Sequence, residues 1–388
     1  MAQPMHDLLM GRGPLVACAF VTLWLAQTAG PAPRDDRPRA RELGIAPGLG
    51  APGPLNAITD VTGVAVGQTT VVEGTTVRTG VTAVVPHPGN VFREKVAGAV
   101  FVGNAFGKLA GSTQVDELGT IETPIVLTNT LAVGTAVDAV VRWTLDQPGN
   151  ADVRSVNAVV GETNDGTLND IRGQHVTRDH VFTAIREAKT GAVDEGSVGA
   201  GSGTIAFGWK GGIGTSSRRV RVGSDDWTIG VLVQTNYGGR LTIAGVPVWR
   251  TLTPPRTASD ASANPADGSC MVVVATDAPV DARDLKRLAA RAVFALARTG
   301  STYANGSGDF AIAFSTNTAL RVTSTTGVTP RLALGTDAMS SLFEAALDAT
   351  EEAVDNSLLR AHDVTSNGRT AHALPIADLR DLLRQYGR

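Results

Sequence analysis

A serine hydroxyl is a weak nucleophile unless a base stands beside it. The residues of this chain best suited to supply both are Asp267, Gly268 and Ser269, which lead into the apolar, largely β-branched run Met271 to Thr276. Cleavage before Ser269 would give that serine an α-amine with a pKa of roughly 7.7–8.0, partly neutral near neutral pH and therefore a base carried by the nucleophile itself. Gly268 suits the bent backbone that would bring the Ser269 hydroxyl to the preceding carbonyl. A Gly-Ser pair ahead of a strand is equally the pattern of an ordinary turn, and these local residues leave both readings standing.

Other chemistries have less to build on. The chain has no GxSxG elbow, no HExxH pair, no Walker loop and no dinucleotide fingerprint with its helix and acidic partner. His6 falls in a leader segment, and His87, His175, His180, His362 and His372 lie in polar or turn-like contexts without a matching serine, which disfavours a histidine-based triad. The clusters Gly199-Ala200-Gly201-Ser202-Gly203 and Gly211-Gly212-Ile213-Gly214 read as tight turns in preference to phosphate cradles. Lys108 and Glu117 read as a loop salt bridge. Cys18 and Cys270 offer neither CxxC nor His/Cys ligand spacing, so neither a metal site nor a disulfide framework is expected.

The elements that must hold Ser269 are legible around it. Arg12 followed by the apolar stretch 14–26 and small residues up to Gly30 reads as a secretory signal peptide over residues 1–30, placing the mature protein in the periplasm or outside the cell. The stretch is shorter than the ~20 residues that span a bilayer, so no membrane association is expected after its removal. Residues 31–42 are rich in Pro, Arg and Asp and read as an exposed arm, with order expected from near Leu55. Short buried strands are predicted at 81–85, 99–102, 125–127, 158–160 and 229–233, with a helix over 130–145. The loop-like stretch 257–268 divides the chain, and a buried strand follows at 271–276. Asp281 caps a helix with Leu285, Leu288, Ala289, Ala292 and Leu296 on one face and Gly300 at its end. A strand at 310–315 and helices at 338–359 and 376–385 complete a layered α/β pattern. A formal net charge of −3 gives no reason to expect nucleic acid or an anionic membrane as partner.

Several ordered motifs together resemble the DmpA family of L-aminopeptidase/D-amidase-esterases and β-peptidyl aminopeptidases. They include Gly53-Pro54-Leu55-Asn56, Gly103-Asn104-Ala105-Phe106-Gly107-Lys108, Val160-Gly161-Glu162-Thr163-Asn164-Asp165, Gly211-Gly212-Ile213-Gly214-Thr215, Asp267-Gly268-Ser269 and Gly306-Ser307-Gly308-Asp309. The resemblance implies a four-layer αββα sandwich of Ntn-hydrolase-like architecture, self-cleaved into chains 31–268 and 269–388. It implies Ser269 as nucleophile, Ser307 and Asp309 as assisting groups and Asn236 as an oxyanion donor. Thr167 stands about where some members carry an oxyanion-donating tyrosine, and its shorter side chain is a departure from the pattern. Glu162 suits a substrate ammonium or, equally, the bracing of a loop. No cofactor is implied; the partners implied are small peptides or aminoacyl amides and further copies of the chain, commonly four. Two other activities stay open: an ornithine acetyltransferase-like acyltransferase, against which Ser269 argues because those proteins normally use threonine, and a non-catalytic periplasmic binding protein on the same fold.

Overall fold

Cys270 to Ala275 is apolar at every position, a run that only a strand covered on both faces can bury. In the computed structural model, which describes residues 37–255, 268–323 and 326–388, this run is the fully buried centre of β12 (Gly268–Thr276). Period-two alternation divides it between two cores. Cys270, Val272 and Val274 join one core with the helices, whereas Met271, Val273 and Ala275 join another with a second sheet.

The six-stranded sheet that holds β12 runs β10-β11-β12-β13-β3-β5. Its other strands are β10 (Gly212–Val222), β11 (Asp225–Asn236), β13 (Ser307–Ser315), β3 (Val96–Ala105) and β5 (Thr120–Ile121). The facing sheet runs β1-β2-β6-β7-β4 and consists of β1 (Ala65–Glu73), β2 (Val77–Val85), β6 (Ile125–Asn129), β7 (Val159–Thr163) and β4 (Leu109–Ala110). Two hairpins stand apart, β8 (Ile205–Ala206) with β9 (Trp209–Lys210) and β14 (Val364–Ser366) with β15 (Arg369–Ala371).

Leu127 and Val159 of the five-stranded sheet meet Met271, Val273, Phe310 and Ile312 of the six-stranded sheet in the inter-sheet core. Helices α2 (Val133–Leu145) and α3 (Arg178–Arg186) cover the outer face of the first sheet. Helices α4 (Ala282–Arg298) and α5 (Met339–Leu359) cover the outer face of the second, joined there by α6 (Ile376–Gln385), while the short α1 (Ser112–Leu118) lies beside β3. The layers are therefore helix, sheet, sheet, helix, the expected αββα sandwich. α4 starts where the Asp281 side chain accepts the Asp284 N–H, and it buries the predicted leucine and alanine face. As the crossover between the parallel strands β12 and β13, it sets Ser269 opposite Gly308.

Two expectations need correction. Residues from Arg37 onward are packed, not an exposed arm: Ala40 is fully buried, Arg37 donates to the carbonyls of Leu359 and Leu374, and Arg41 pairs with Glu352 at 3.0 Å. Guanidinium groups fasten this segment, a mode of attachment that a count of apolar residues does not register. The second glycine cluster also differs, since Gly212 to Gly214 lie inside β10 and only Gly199–Gly201 form a tight 3-10 turn. The leader, residues 31–36 and linker residues 257–267 lie outside the described residues.

Gly214 is where α5 comes down onto β10. A Cβ there would stand 1.9 Å from the Ala353 carbonyl oxygen. Gly214→Ala should therefore force the layers apart and lower stability by about 1–3 kcal/mol or more, read as a fall in the urea midpoint at unchanged m-value. An unchanged midpoint would show that the two layers yield freely at this contact.

Candidate active site

Three adjacent strand ends bring most of the predicted residues together. Asn236 is the last residue of β11 and pairs with Ser269 at the start of β12, which pairs in turn with Gly308 of β13. Gly268 has φ +148°, and a Cβ on it would lie 2.1 Å from the Asn236 carbonyl oxygen. Both conformation and space therefore restrict residue 268 to glycine. Gly268 and Ser269 are the first two residues of β12.

Ser269 is buried, and its Oγ accepts the Gly308 N–H at 3.3 Å. Beside it the Ser307 hydroxyl donates to Asp309 Oδ2 at 2.8 Å. Burial pushes the Asp309 carboxyl up to about 6, against the Ser307 hydroxyl and the Cys270 backbone amide, which both favour the charged form. Asp309 Oδ1 nonetheless has no hydrogen-bond partner of normal geometry among the described residues. No hydrogen bond among the described residues joins Ser269 Oγ to Ser307 or Asp309.

The Asn236 carboxamide is held from both ends. Its Oδ1 accepts the Ile205 N–H at 3.0 Å, and its Nδ2 donates to the Asn164 carbonyl at 3.0 Å. A carboxamide nitrogen carries two hydrogens, so the second N–H is free of described partners and its direction is fixed by the other two bonds. This is the geometry a preorganised donor requires. Asn164 and Ile205 act through backbone atoms and left no mark in the sequence.

Glu162 ends up across the sandwich on β7. It is buried, and its Oε1 accepts the Lys108 N–H at 2.9 Å while its Oε2 accepts the Thr130 hydroxyl. Gly107 fills the gap between it and the nucleophile strands: a Cβ at 107 would lie 3.2 Å from Glu162 Oε1 and 3.5 Å from Gly308 Cα. Lys108 Nζ lies 3.9 Å from Glu162, so its acidic neighbour is Glu162 and not the expected Glu117, which lies on α1. Thr167 is exposed in the loop after β7 and makes no side-chain hydrogen bond to Ser269 or Asn236. The histidines bond elsewhere, His87 with Glu94 and Gly89, His175 with Asp170, and His372 with Asp363. No cluster of three or more metal-ligating side chains occurs among the described residues.

The architecture and sequence are shared with known enzymes. Residues 56–371 match Peptidase family S58. The β-peptidyl aminopeptidase BapA of Sphingosinicella microcystinivorans is 44% identical over 377 residues, covering 90% of this chain and 93% of that protein. The L-aminopeptidase D-Ala-esterase/amidase of Ochrobactrum anthropi, described as a variant of the Ntn hydrolase fold, superposes with a TM-score of 0.84 at 39% identity, over 90% of this chain and 99% of that one. A Burkholderia sp. β-aminopeptidase gives 0.82 at 41% identity, over 90% and 99%. The facing sheets and the serine that opens a core strand thus define an Ntn-type hydrolase of the serine aminopeptidase class. The chain belongs to peptidase family S58 and is an aminopeptidase acting on peptide or amide substrates. Of the three activities left open by the sequence, the family match selects the peptidase.

Ser307→Ala removes the hydroxyl that lowers the Asp309 pKa, so this carboxyl should titrate above about 6 and be ionised to a smaller extent at pH 7. Carboxyl-carbon NMR across a pH series measures it. A titration that stays in place or moves down would remove Ser307 as a determinant of the Asp309 charge.

Proposed function

We propose that the enzyme is made as a precursor that cleaves its own Gly268–Ser269 bond and then uses Ser269 as an amino-terminal nucleophile. The observation that carries this is Gly268 at φ +148°, wedged against the Asn236 carbonyl immediately before a buried serine at a strand end. In the first reaction Ser269 Oγ adds to the Gly268 carbonyl carbon and the C–N bond breaks. The acyl group passes from nitrogen to oxygen, and water then hydrolyses the ester to a Gly268 carboxylate and a free Ser269 α-amine.

In turnover the neutral α-amine takes the proton from Oγ as the oxygen attacks the carbonyl of the substrate's amino-terminal residue. The free Asn236 N–H donates to the oxyanion. The ammonium formed at Ser269 returns its proton to the departing amine, and water releases the acyl group. Ser307 and Asp309, hydrogen-bonded to each other one strand away, assist and orient the new amino terminus. Glu162, with lone pairs left after accepting from Lys108 and Thr130, receives the substrate's ammonium. Thr167 leaves the oxyanion to Asn236 and backbone donors. Given the names of its relatives, the substrates we propose are small peptides, amides and esters that begin with an L-, D- or β-amino acid.

Intact-mass spectrometry should find two fragments in purified protein, the smaller running from Ser269 to Arg388. Ser269→Ala should yield a folded, uncleaved chain that releases no p-nitroaniline from L-, D- or β-aminoacyl anilides. Wild-type activity should rise with pH through the α-amine pKa, roughly 7.7–8.0, since only the neutral amine accepts a proton. A fully active preparation in which residue 269 is still amide-linked would sink the mechanism.

Residues 1–30 are proposed as an export signal, and the processed protein as an extracytoplasmic oligomer of four protomers. Cell fractionation with amino-terminal sequencing should recover it outside the cytosol starting near residue 31. Recovery only in the cytosol with Met1 or Ala2 retained removes the export proposal.

A further inference from the structure

The two grips on Asn236 lead back to two buried charged side chains that the chemistry above leaves unused. Ile205, which holds Oδ1, stands opposite Lys210 in the β8–β9 hairpin. The Lys210 side chain is fully buried, and its Nζ donates to the carbonyls of Gly201 at 2.8 Å and Gly211 at 2.7 Å. Gly211 N–H in turn reaches the Thr204 carbonyl at 3.1 Å. One ammonium therefore ties down both ends of the segment 201–205 from which the Ile205 N–H projects.

The other grip, the Asn164 carbonyl, immediately precedes Asp165. Asp165 is buried, accepts the Asn169 side chain on Oδ1 at 2.9 Å and has the Thr79 hydroxyl beside its carboxyl, while Oδ2 has no hydrogen-bond partner of normal geometry among the described residues. The two loops are in contact, since a Cβ on Gly203 would stand 2.9 Å from Asp165 Cβ. Burial pushes Lys210 down to about 7 and Asp165 up to about 6, and each charge favours the ionised form of the other. An unpaired buried ion costs several kcal/mol, and an apolar side chain would close a two-residue hairpin without that penalty. Packing alone does not explain why a lysine stands there.

We propose that Lys210 and Asp165 are positioning residues that fix the two loops holding the Asn236 carboxamide, so that its free N–H meets the oxyanion. The proposal rests on Asn236 being the oxyanion donor. Its mark would be a loss in kcat with little change in KM, because the affected bond strengthens only in the transition state.

The test is a kinetic cycle on the full chain with a β-aminoacyl p-nitroanilide, using Lys210→Met, Asp165→Asn, Asn236→Ala and the double variants, with rates per free Ser269 amino terminus. For any variant that cleaves too slowly to give a processed enzyme for assay, the first-order rate of self-cleavage, followed over days, replaces kcat. Lys210→Met and Asp165→Asn should each lower the rate by about 10- to 100-fold with KM within about twofold, a fraction of what one lost oxyanion donor costs. In the Asn236→Ala background either change should cost less than about threefold, because the group it positions is gone. A purely structural role would instead multiply with Asn236→Ala and raise KM. Such additivity, or Lys210→Met and Asp165→Asn rates within threefold of wild type, overturns the proposal while leaving the oxyanion reading intact. If Asn236→Ala itself leaves the rate unchanged, the oxyanion reading fails and takes the proposal with it. Recovery of both single variants only as aggregates also overturns it, because a positioning role requires a folded variant.

Discussion

A parallel strand pair cannot be closed by a tight turn, and the β12–α4–β13 crossover is the constraint from which the rest of the site follows. α4 must lie flat on the sheet to return the chain, and it does so with Leu285, Leu288, Ala289, Ala292 and Leu296 against Ala311 and Ala313, side chains small enough to let a helix approach. That packing fixes the register at Ser269 against Gly308, with Ser307 and Asp309 on either side. On the opposite edge of β12 the antiparallel register with β11 brings Asn236 to the same level. A slip of one residue in either pair would turn Ser269 toward the helices and Cys270 toward the second sheet. The two cores that divide β12 by alternation are thus what hold the serine in place.

The same sandwich buries several charges, and they serve different ends. Arg218 and Glu352 are fully buried and 2.7 Å apart, with Arg41 and Asn56 also on the Glu352 carboxylate. A buried pair of this kind adds little net stability over an apolar one, but removing one partner strands the other. Its consequence here is topological, since it ties the amino-terminal segment, β10 and α5 to one point. Unmatched buried groups occur in both regions: beside Glu352 the Asp355 carboxyl has no hydrogen-bond partner of normal geometry among the described residues, and others lie on the side of Ser269. Asp309 and Asp165 each keep one oxygen without a normal partner, and Lys210 is met by carbonyls instead of a contacting carboxylate.

Elements with one dominant signal were legible in the sequence. The centre of β12, the capped face of α4 and the whole of α6 each follow from uninterrupted apolar runs or strict helical spacing. β1 and β10 were not, because their residues defy the usual division of apolar inside and polar outside. β10 buries Ser216 and Arg218 against α5, the Ser216 hydroxyl donating to the Ala349 carbonyl, and Thr215 and Ser217 on its other face against the segment that holds Ile58 and Asp60, so both of its buried faces look polar. Of the site, Ser269, Ser307, Asp309 and Asn236 carried side-chain chemistry that motifs preserve, and the fold gathers them on three neighbouring strands. The groups that hold Asn236 are a carbonyl and an amide, which any residue possesses. The only trace they left was Lys210, a cation set among small and apolar residues with no acidic residue nearby in sequence.

Under the proposed chemistry one serine meets two different nitrogens. Before cleavage its nitrogen belongs to an amide, whose lone pair is delocalised into the carbonyl and cannot take a proton. Afterwards it is an amine poised near neutral pH. The first reaction therefore needs a proton acceptor other than that nitrogen; the Asp309 carboxyl, raised to about 6 by burial, is one strand away, where it accepts from Ser307 and has no hydrogen bond to Ser269. Because that pKa lies below neutrality, the carboxylate is mostly ionised at pH 7 without being so weak a base that it cannot compete for a proton. Strand register pairs Ser269 with Gly308 and Cys270 with Asp309, which sets that carboxylate one residue along from the serine, whereas the amine that cleavage would release is a base the serine itself carries.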